Sequence, residues 1–223
     1  MDLNSRAVGG APSQRRAPGG RMEGNAMNRM TRHHREQLRR KILDSSRELF
    51  VMQGCYGATM DDVAVVSGLS KPALYRHFDS KDDLCIAVVE ECADFVESLI
   101  SPSLFTGLSL EERVSRMIAL FIGLAVDHPH VYAIVFESDM GHIPEVGDRL
   151  RDLRDTLLHS LTAGAEEGLV SEATDEFALR AEMMLAAVIP LSKRIGVEAT
   201  VMKRENLQKV LFDAMWGGLR SAA

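Results

Sequence analysis

The sequence predicts an all-α protein, in which a small N-terminal domain is joined by a linking helix to a larger helical domain. From about Glu36 onward apolar residues recur at three- and four-residue intervals, and no stretch alternates convincingly with a period of two. Helix starts are marked by a capping pattern, with Thr59 three residues before Asp62 and Ser109 three residues before Glu112. The chain has 223 residues, 46% of them hydrophobic, which suffices for a packed core.

Three short helices come first. Leu38, Ile42 and Phe50 mark the buried face of the first helix, which ends at the turn around Gly54 and Gly57. A second helix follows the Thr59 cap and is broken by a glycine at position 68. The next serine, at position 70, can cap a third helix over residues 71–77, because the proline at position 72 is tolerated only in a first turn.

The third helix has a short polar face that suits the major groove of DNA. Leu74 and Phe78 lie four residues apart and can bury against the second helix. A helix that enters the groove needs slim residues near its start and hydrogen-bond donors around them. The pattern leaves six such residues outward: Lys71, Pro72, Ala73, Tyr75, Arg76 and His77.

Charge is divided unevenly along the chain. Residues 1–81 contain 14 Lys and Arg against 8 Asp and Glu, a net charge of +6, whereas residues 82–223 contain 12 against 24, a net charge of −12. A basic front half on an acidic back half can present one attractive face to nucleic acid, although the whole chain carries −6.

These residues resemble the TetR family of bacterial regulators, whose reading unit has the pattern G-[hydrophobic]-S-x-x-x-[hydrophobic]-Y-x-H-F-x-[ST]-K-x-x-L. The fixed places are filled by Gly68, Leu69, Ser70, Leu74, Tyr75, His77, Phe78, Ser80, Lys81 and Leu84. The resemblance implies a cytoplasmic homodimer that regulates transcription, as a repressor of an inverted-repeat operator in double-stranded DNA, and that is not an enzyme. It also implies DNA contacts from Thr59, Ser70, Lys71, Pro72, Ala73, Tyr75, Arg76, His77 and Lys81.

Two further stretches are similar to a narrower group, the actinobacterial TetR-type regulators of fatty-acid synthesis that respond to long-chain acyl-CoA. They are VYAIVFESDMGHIPEV at residues 131–146 and FDAMWGGL at residues 212–219. The likeness implies an apolar small-molecule effector, for which a long-chain acyl-CoA is one candidate, and no resident cofactor.

Three segments follow from composition and periodicity. Residues 1–34 are rich in Gly, Ala, Pro, Ser and Arg and are expected to be a disordered basic extension, either a simple leader or an arm that lies against DNA. Residues 35–82 form the helix-turn-helix domain, and residues 83–223 form the effector-binding and dimerisation domain. Six helices are expected from Ser80 onward, with Thr174 capping the eighth, Pro190 kinking or ending it, and the ninth ending near Met215.

Apolar residues at helical spacing in the second domain predict a cavity. Because methionines adapt to irregular shapes, a Met-rich cavity suits a long apolar ligand, although plain core packing explains the same spacing. The predicted ligand-binding residues are Met117, Phe121, Tyr132, Phe136, Met140, Leu157, Leu161, Met183 and Met184. Arginines at positions 149, 151, 154 and 180 are candidates for phosphate groups of such a ligand.

The last two helices are the candidates for dimerisation, since helix pairs from two subunits can form a four-helix bundle. The predicted dimer residues are Ala181, Ala186, Leu207, Val210, Leu211, Ala214 and Trp216. Burial inside one subunit is the alternative for each of them.

Other functions receive weaker support from the sequence. Three histidines and nearby acids suggest a metal site, and His142 or Asp139 an acid–base catalyst, but neither set has a convincing spacing. No apolar run is long enough to cross a membrane, and the three cysteines, Cys55, Cys85 and Cys92, suit reduced core thiols. A small-molecule-binding helical protein or enzyme without DNA binding is the alternative interpretation.

Overall fold

The computed structural model describes residues 20–100, 105–164, 175–198 and 204–220, which are helical apart from the turns between helices and contain no strand. The helices within these ranges are α1 (Gly20–Gly57), α2 (Met60–Ser67), α3 (Lys71–Leu74), α4 (Lys81–Leu99), α5 (Leu110–Asp127), α6 (Pro129–Phe136), a 3₁₀ helix (Met140–His142), α7 (Pro144–Gly164), α8 (Asp175–Glu198) and α9 (Arg204–Arg220). The predicted fold class is confirmed.

The first helix begins earlier than the sequence predicts. The chain divides into two compact units, Met1–Arg40 and Lys41–Ala223. Residues 20–34 belong to α1, although disorder was expected up to residue 34. Residues 21–41 contain no proline and one glycine and are rich in Arg and Met, so little in their sequence interrupts a helix. Residues 1–19 lie outside the described residues.

The helices on both sides of the division predicted at residue 82, α2–α9, belong to the second compact unit. The linking helix α4 is the reason. Leu84, Val88 and Val96 on its apolar face are completely buried, and α4 packs against both α6 and α7. Arg47 of α1 donates to Glu91 of α4 at 2.5 Å. The front and back of this unit therefore share one core.

The turn between α2 and α3 forms as predicted. Thr59 and Asp62 make the reciprocal capping box at the start of α2. Gly68 ends α2 in the left-handed conformation, with φ +65°, and the N–H groups of Gly68 and Leu69 donate to the carbonyls of Val65 and Ala64. A residue with a Cβ at this position would be strained.

The third helix is shorter than predicted. It ends at Leu74, and residues 75–77 form a tight turn in which the His77 N–H donates to the Leu74 carbonyl at 2.9 Å. Ser70 occupies the N-cap position, but its side chain makes no capping hydrogen bond. The chain tightens here because Leu74 and Phe78, 0% and 1% exposed, are both held in the core.

The remaining helices begin where the sequence predicts, and two of them run further. Ser109 caps α5, and Pro129 and Pro144 open α6 and α7. α8 continues through Pro190 to Glu198 instead of ending there, and α9 continues through the two glycines after Trp216. The predicted Thr174 cap and the end of the seventh helix at Gly168 lie outside the described residues.

The core of the second unit is built around α5, which packs against α6, α7, α8 and α9. Val114, Met117, Ile118 and Phe121 of α5 are completely buried. Among the described residues, no single helix is long and apolar enough to cross a membrane; one consecutive pair, Leu110–Asp127 with Pro129–His142, qualifies only jointly and is bent by 112°.

Substitution of the glycine that ends α2 tests this account of the turn. Gly68→Ala places a Cβ on a left-handed residue and should lower the free energy of unfolding by about 1–2 kcal/mol. Gly123→Ala is the matched control. It lies inside α5, where a Cβ would meet one atom at ordinary contact distance, and it should raise the free energy by about 0.5–1 kcal/mol. Urea unfolding followed by circular dichroism measures both changes, and equal effects would contradict the assignment.

Candidate functional site

The residues from the end of α2 to Phe78 present an exposed polar surface, which we call the reading face (residues 70–77). Ser70, Lys71, Pro72, Tyr75 and Arg76 are exposed. The two other predicted members, Ala73 and His77, are half-buried. Four of the six residues predicted to point outward are therefore exposed, and two are half-buried.

An exposed ion pair on the reading face supplies a cation that can change partners. Lys71 Nζ lies 2.7 Å from Asp61 Oδ1, and the side chains are 54% and 66% exposed. Hydrogen bonding and charge attraction from Asp61 raise the pKa of Lys71 above its ordinary value. Such exposed pairs contribute at most about 1 kcal/mol, so Lys71 can exchange this carboxylate for a phosphate at low cost.

Thr59 is occupied by helix capping. Its hydroxyl donates to Asp62 Oδ2 at 2.6 Å, and the hydroxyl oxygen accepts from the Asp62 N–H at 3.2 Å. The bonds that the Thr59 hydroxyl and the Thr59 N–H donate to the Asp62 carboxylate hold the pKa of Asp62 below its ordinary value. A shallow depression of about 330 Å³ nevertheless brings Thr59 together with Lys71, Tyr75 and Lys81. Four of the predicted DNA-binding residues are thus neighbours.

Lys81 has structural partners that the sequence did not reveal. Its Nζ donates to the carbonyls of Cys55 at 3.0 Å and Ala58 at 3.4 Å, at the end of α1. A cation at the first turn of a helix opposes the helix dipole. Carbonyl groups at the end of α1, which lack partners within that helix, compensate this cost. Contact of Lys81 with DNA, which the resemblance implies, stays a prediction.

An apolar groove lies between α6, α7 and α8, and we call it the effector groove. Its volume is about 320 Å³, at the lower end of the range for small-molecule sites. It is lined by Val135, Phe136, Leu150, Leu153, Arg154, Leu157, Leu185, Ala186 and Ile189. The leucines of α7 recur at helical intervals, a signal that could have identified them from the sequence.

The predicted ligand-binding residues divide between this groove and the core. Phe136 and Leu157 line the groove. Met183 is 63% exposed on the outer side of α8, so it does not face the interior as expected. The rings of Phe121 and Tyr132 contact the ring of Phe136. The six remaining predicted residues are buried in the core: Met117, Phe121, Tyr132, Met140, Leu161 and Met184.

Tyr132 ties α6 to α8 beside the groove. Its hydroxyl donates to the carbonyl of Ile189, one residue before Pro190, in a short hydrogen bond. Burial, with a smaller contribution from the charge of Glu137, raises the pKa of Tyr132 to about 12. The phenol is therefore a neutral donor at physiological pH, and it holds one wall of the groove in place.

The arginines near the groove differ in their availability. Arg149 is held by Glu97 at 2.6 and 3.0 Å and by Asp94 at 2.7 Å, so it joins α7 to α4. The pKa of Arg149 is raised, mainly by its hydrogen bonds to Glu97. Arg154 lines the groove, is 60% exposed and lies 3.5 Å from Glu182. It is the arginine best placed to meet an anionic group at the mouth.

The predicted dimer residues are exposed only in part. Ala186, Val210 and Ala214 are exposed, and Trp216 is half-buried against Phe212. Ala181 and Leu211 are buried inside the subunit, contrary to expectation, and the side chain of Leu207 lies outside the described residues. Large apolar side chains that were not assigned to the dimer also lie on α8: Leu179 and Met183, 57% and 63% exposed.

The rings suggested for a metal site are engaged in packing. The His142 ring stacks on Tyr56 with centroids 4.4 Å apart, and the His128 ring meets the edge of Phe95. In the part of the chain that the structure describes, no three His, Cys, Asp or Glu side chains are grouped closely enough to hold a metal ion. All three cysteines are buried and free, as predicted.

Comparisons with known proteins agree with this architecture. Residues 42–88 match the family model described as "Bacterial regulatory proteins, tetR family". The chain is 27% identical over 179 residues to the HTH-type transcriptional activator FasR of Mycolicibacterium smegmatis, covering 80% of this chain and 77% of FasR. It is 30% identical over 149 residues to the HTH-type transcriptional regulator SrpR of Pseudomonas putida, covering 62% of this chain and 68% of SrpR.

A solved structure shares the fold. FadR from Bacillus subtilis, in complex with stearoyl-CoA, superposes with a TM-score of 0.64 and 16% identity, covering 80% of this chain and 97% of FadR.

The helix-turn-helix of α2 and α3, which lies in the segment matched by the family model, defines the class of protein as a regulator of transcription. The chain belongs to the TetR family of bacterial regulators. The relatives are regulators and not enzymes, which excludes the enzyme alternative.

Two lysines provide a matched test of the structural role of Lys81. Lys81→Ala removes charged hydrogen bonds to two carbonyls and should lower the free energy of unfolding by about 1.5–3 kcal/mol. Lys71→Ala removes an exposed ion pair and should change it by less than about 0.5 kcal/mol. Thermal and urea unfolding measure both. If the variants are equally stable, the carbonyl contacts of Lys81 do not support the fold.

Proposed function

We propose that this protein is a ligand-responsive regulator that binds an inverted-repeat operator as a homodimer. The observation that carries the proposal is the exposed reading face, on which Lys71, Tyr75 and Arg76 point outward. Leu74 and Phe78 are buried on the opposite side and fix the helix to the core. Lysine and arginine donate to guanine or to phosphate, and Pro72 offers apolar contact to a thymine methyl. Direct contact of residues 70–77 with DNA is part of the proposal.

Dimerisation through α8 and α9 is supported by two exposed apolar stripes. Leu179, Met183 and Ala186 follow one another at intervals of four and three residues along α8, and all three are exposed. Val210 and Ala214 repeat the interval on α9. Exposed apolar stripes of this kind mark interaction surfaces. A two-fold axis between such helices would present two reading faces to half-sites about 34–36 Å apart.

DNA binding is tested on a duplex enriched from a randomised library by the full-length protein. We expect two subunits on an inverted repeat, weak binding to a single half-site, and an affinity that falls steeply as salt rises. Arg76→Ala should reduce the preference for the selected duplex over an unrelated one by about 5–100-fold, since a base contact contributes about 1–3 kcal/mol. Fluorescence anisotropy measures each affinity.

Arg151→Ala is the control for this experiment. Arg151 is exposed and pairs with Asp148 on α7, so its removal changes the net charge equally without touching the reading face. If Arg76→Ala and Arg151→Ala retain the same preference, residues 70–77 are not the reading face. Binding that is independent of salt would contradict DNA binding by this protein altogether.

The proposed effector is an apolar molecule with an anionic end, and a long-chain acyl-CoA fits this description. The groove offers leucine, isoleucine and phenylalanine walls for the chain, and Arg154 at its rim for a phosphate. FadR, which has the same fold, binds stearoyl-CoA in its solved structure. The groove of about 320 Å³ is small for a long chain, so binding would favour a more open arrangement of α6, α7 and α8.

A contact between α6 and the end of α1 can transmit that rearrangement. The 3₁₀ helix follows α6, and His142 within it stacks on Tyr56. His142 Nδ1 is 2.7 Å from the Asp139 carbonyl, which fixes the orientation of the ring. Tyr56 lies between the two residues whose carbonyls bind Lys81. A movement of α6 would therefore reach the start of α4 and the reading face.

Effector binding is tested with stearoyl-CoA and stearate, using calorimetry and DNA release. Arg154→Gln should weaken stearoyl-CoA binding by about 5–10-fold, because one charged hydrogen bond is lost, and should leave stearate binding less affected. Arg151→Gln on the same helix is the control and should change neither affinity. Loss of binding in both variants, or in neither, would contradict the placement of the anionic group at Arg154.

The sign of regulation is part of the proposal and not a property of the fold. Repression follows where a bound dimer overlaps a promoter, although FasR is named an activator. Transcription in vitro with purified polymerase, with and without stearoyl-CoA, distinguishes the two signs. Action on DNA in a bacterial cell also implies a cytoplasmic location, which we include in the proposal.

A further inference from the structure

A strongly basic segment of α1 lies before the residues that define the family. Residues 32–41 contain five arginine or lysine residues and one acidic residue, Glu36. The family model matches residues 42–88, so it does not account for this segment. The segment is helical, and its arginines are exposed.

Helical spacing places three of these arginines on one side. Arg32, Arg35 and Arg39 follow one another at intervals of three and four residues, which brings them to the same face of an α-helix. At a rise of about 1.5 Å per residue they extend over about 10 Å of the helix. All three are exposed, and each carries a guanidinium group with several hydrogen-bond donors. We call this surface the arginine strip.

The described residues beside the strip are one acid and one leucine. Glu36, one turn after Arg32, is exposed, and Leu38, three residues after Arg35, is half-buried. His33 and Gln37, which hydrogen-bond to each other at 3.0 Å, lie on a different side of the helix. Each strand of double-stranded DNA carries about one phosphate per 3.4 Å of the axis, so a strip of about 10 Å can meet about three phosphates of one strand. Each arginine can therefore find a phosphate without any requirement for base sequence.

We propose that the arginine strip is a second DNA contact, which binds phosphates of a duplex without reading its sequence. This inference rests on the proposed function. The segment is continuous with the helix-turn-helix residues in the chain, so its positive charge adds to the attraction of the whole protein for a duplex. The strip adds affinity and lengthens the protected site but adds no sequence preference.

The test is a triple variant, Arg32→Gln with Arg35→Gln and Arg39→Gln, in the full-length protein. The slope of log affinity against log salt should become shallower by about 2–3, close to 0.9 for each lost phosphate contact. Affinity for the selected duplex and for an unrelated duplex should fall by the same factor. Hydroxyl-radical footprinting should show a shorter protected region. The corresponding triple lysine variant retains the charges and should restore most of the slope.

The matched control is a second triple variant, Arg116→Gln with Arg151→Gln and Arg194→Gln, which changes the net charge equally on exposed residues of the second unit. An equal change of slope in both triple variants would overturn the inference, as would a loss of preference for the selected duplex alone. Loss of binding to vesicles containing phosphatidylserine, with an unchanged DNA slope, would also overturn it in favour of a membrane surface. A wild-type protein that binds no duplex would instead contradict the proposed function.

Discussion

The packing of α4 against the rest of the second unit is the constraint on which this structure depends. Lys81 anchors the start of α4 on carbonyls at the end of α1, and Arg47 fastens its middle to the same helix. Near its other end Glu97 is held by Arg149 of α7. On the apolar face between these polar contacts, Val88, Val89 and Ala93 are completely buried. A displacement of α6 or α7, which pack on α4, therefore also acts on the end of α1, to which α4 is hydrogen-bonded.

The polar residues around the reading face fall into two groups, according to whether their hydrogen-bond partners belong to the fold. Thr59 bonds within a helix cap, and Lys81 bonds to carbonyls at the end of α1. Removal of either side chain therefore lowers the stability of the fold. Lys71 has an exposed partner that water or phosphate can replace, and Tyr75 and Arg76 extend from a turn that is fixed from behind. A surface that binds DNA reversibly needs groups of this second kind, since buried contacts are costly to exchange.

The effector groove shows how a helical core can combine rigidity with a small cavity. The aromatic rings of Phe121, Tyr132 and Phe136 form a tilted cluster on its inner side, while leucines of α7 form the opposite wall. Because Tyr132 is also bonded to the Ile189 carbonyl, the cavity cannot widen without moving α6 relative to α8. Under the proposed function, a ligand larger than the groove binds only with helix displacement, which is the physical requirement for a population shift.

The helices and the reading face could be predicted from the sequence because they depend on interactions between residues close together in the chain. The capping residues Thr59 and Ser109, the turn glycine Gly68 and the four-residue spacing of Leu74 and Phe78 act within one or two turns, so their effect is visible in the sequence. The partners of Lys81, the exposure of Met183 and the placement of α2–α9 in one compact unit were decided only by the tertiary structure. Each depends on which helix lies opposite, and the periodicity that marks a face as apolar is the same whether that face meets the core, a ligand or a second subunit.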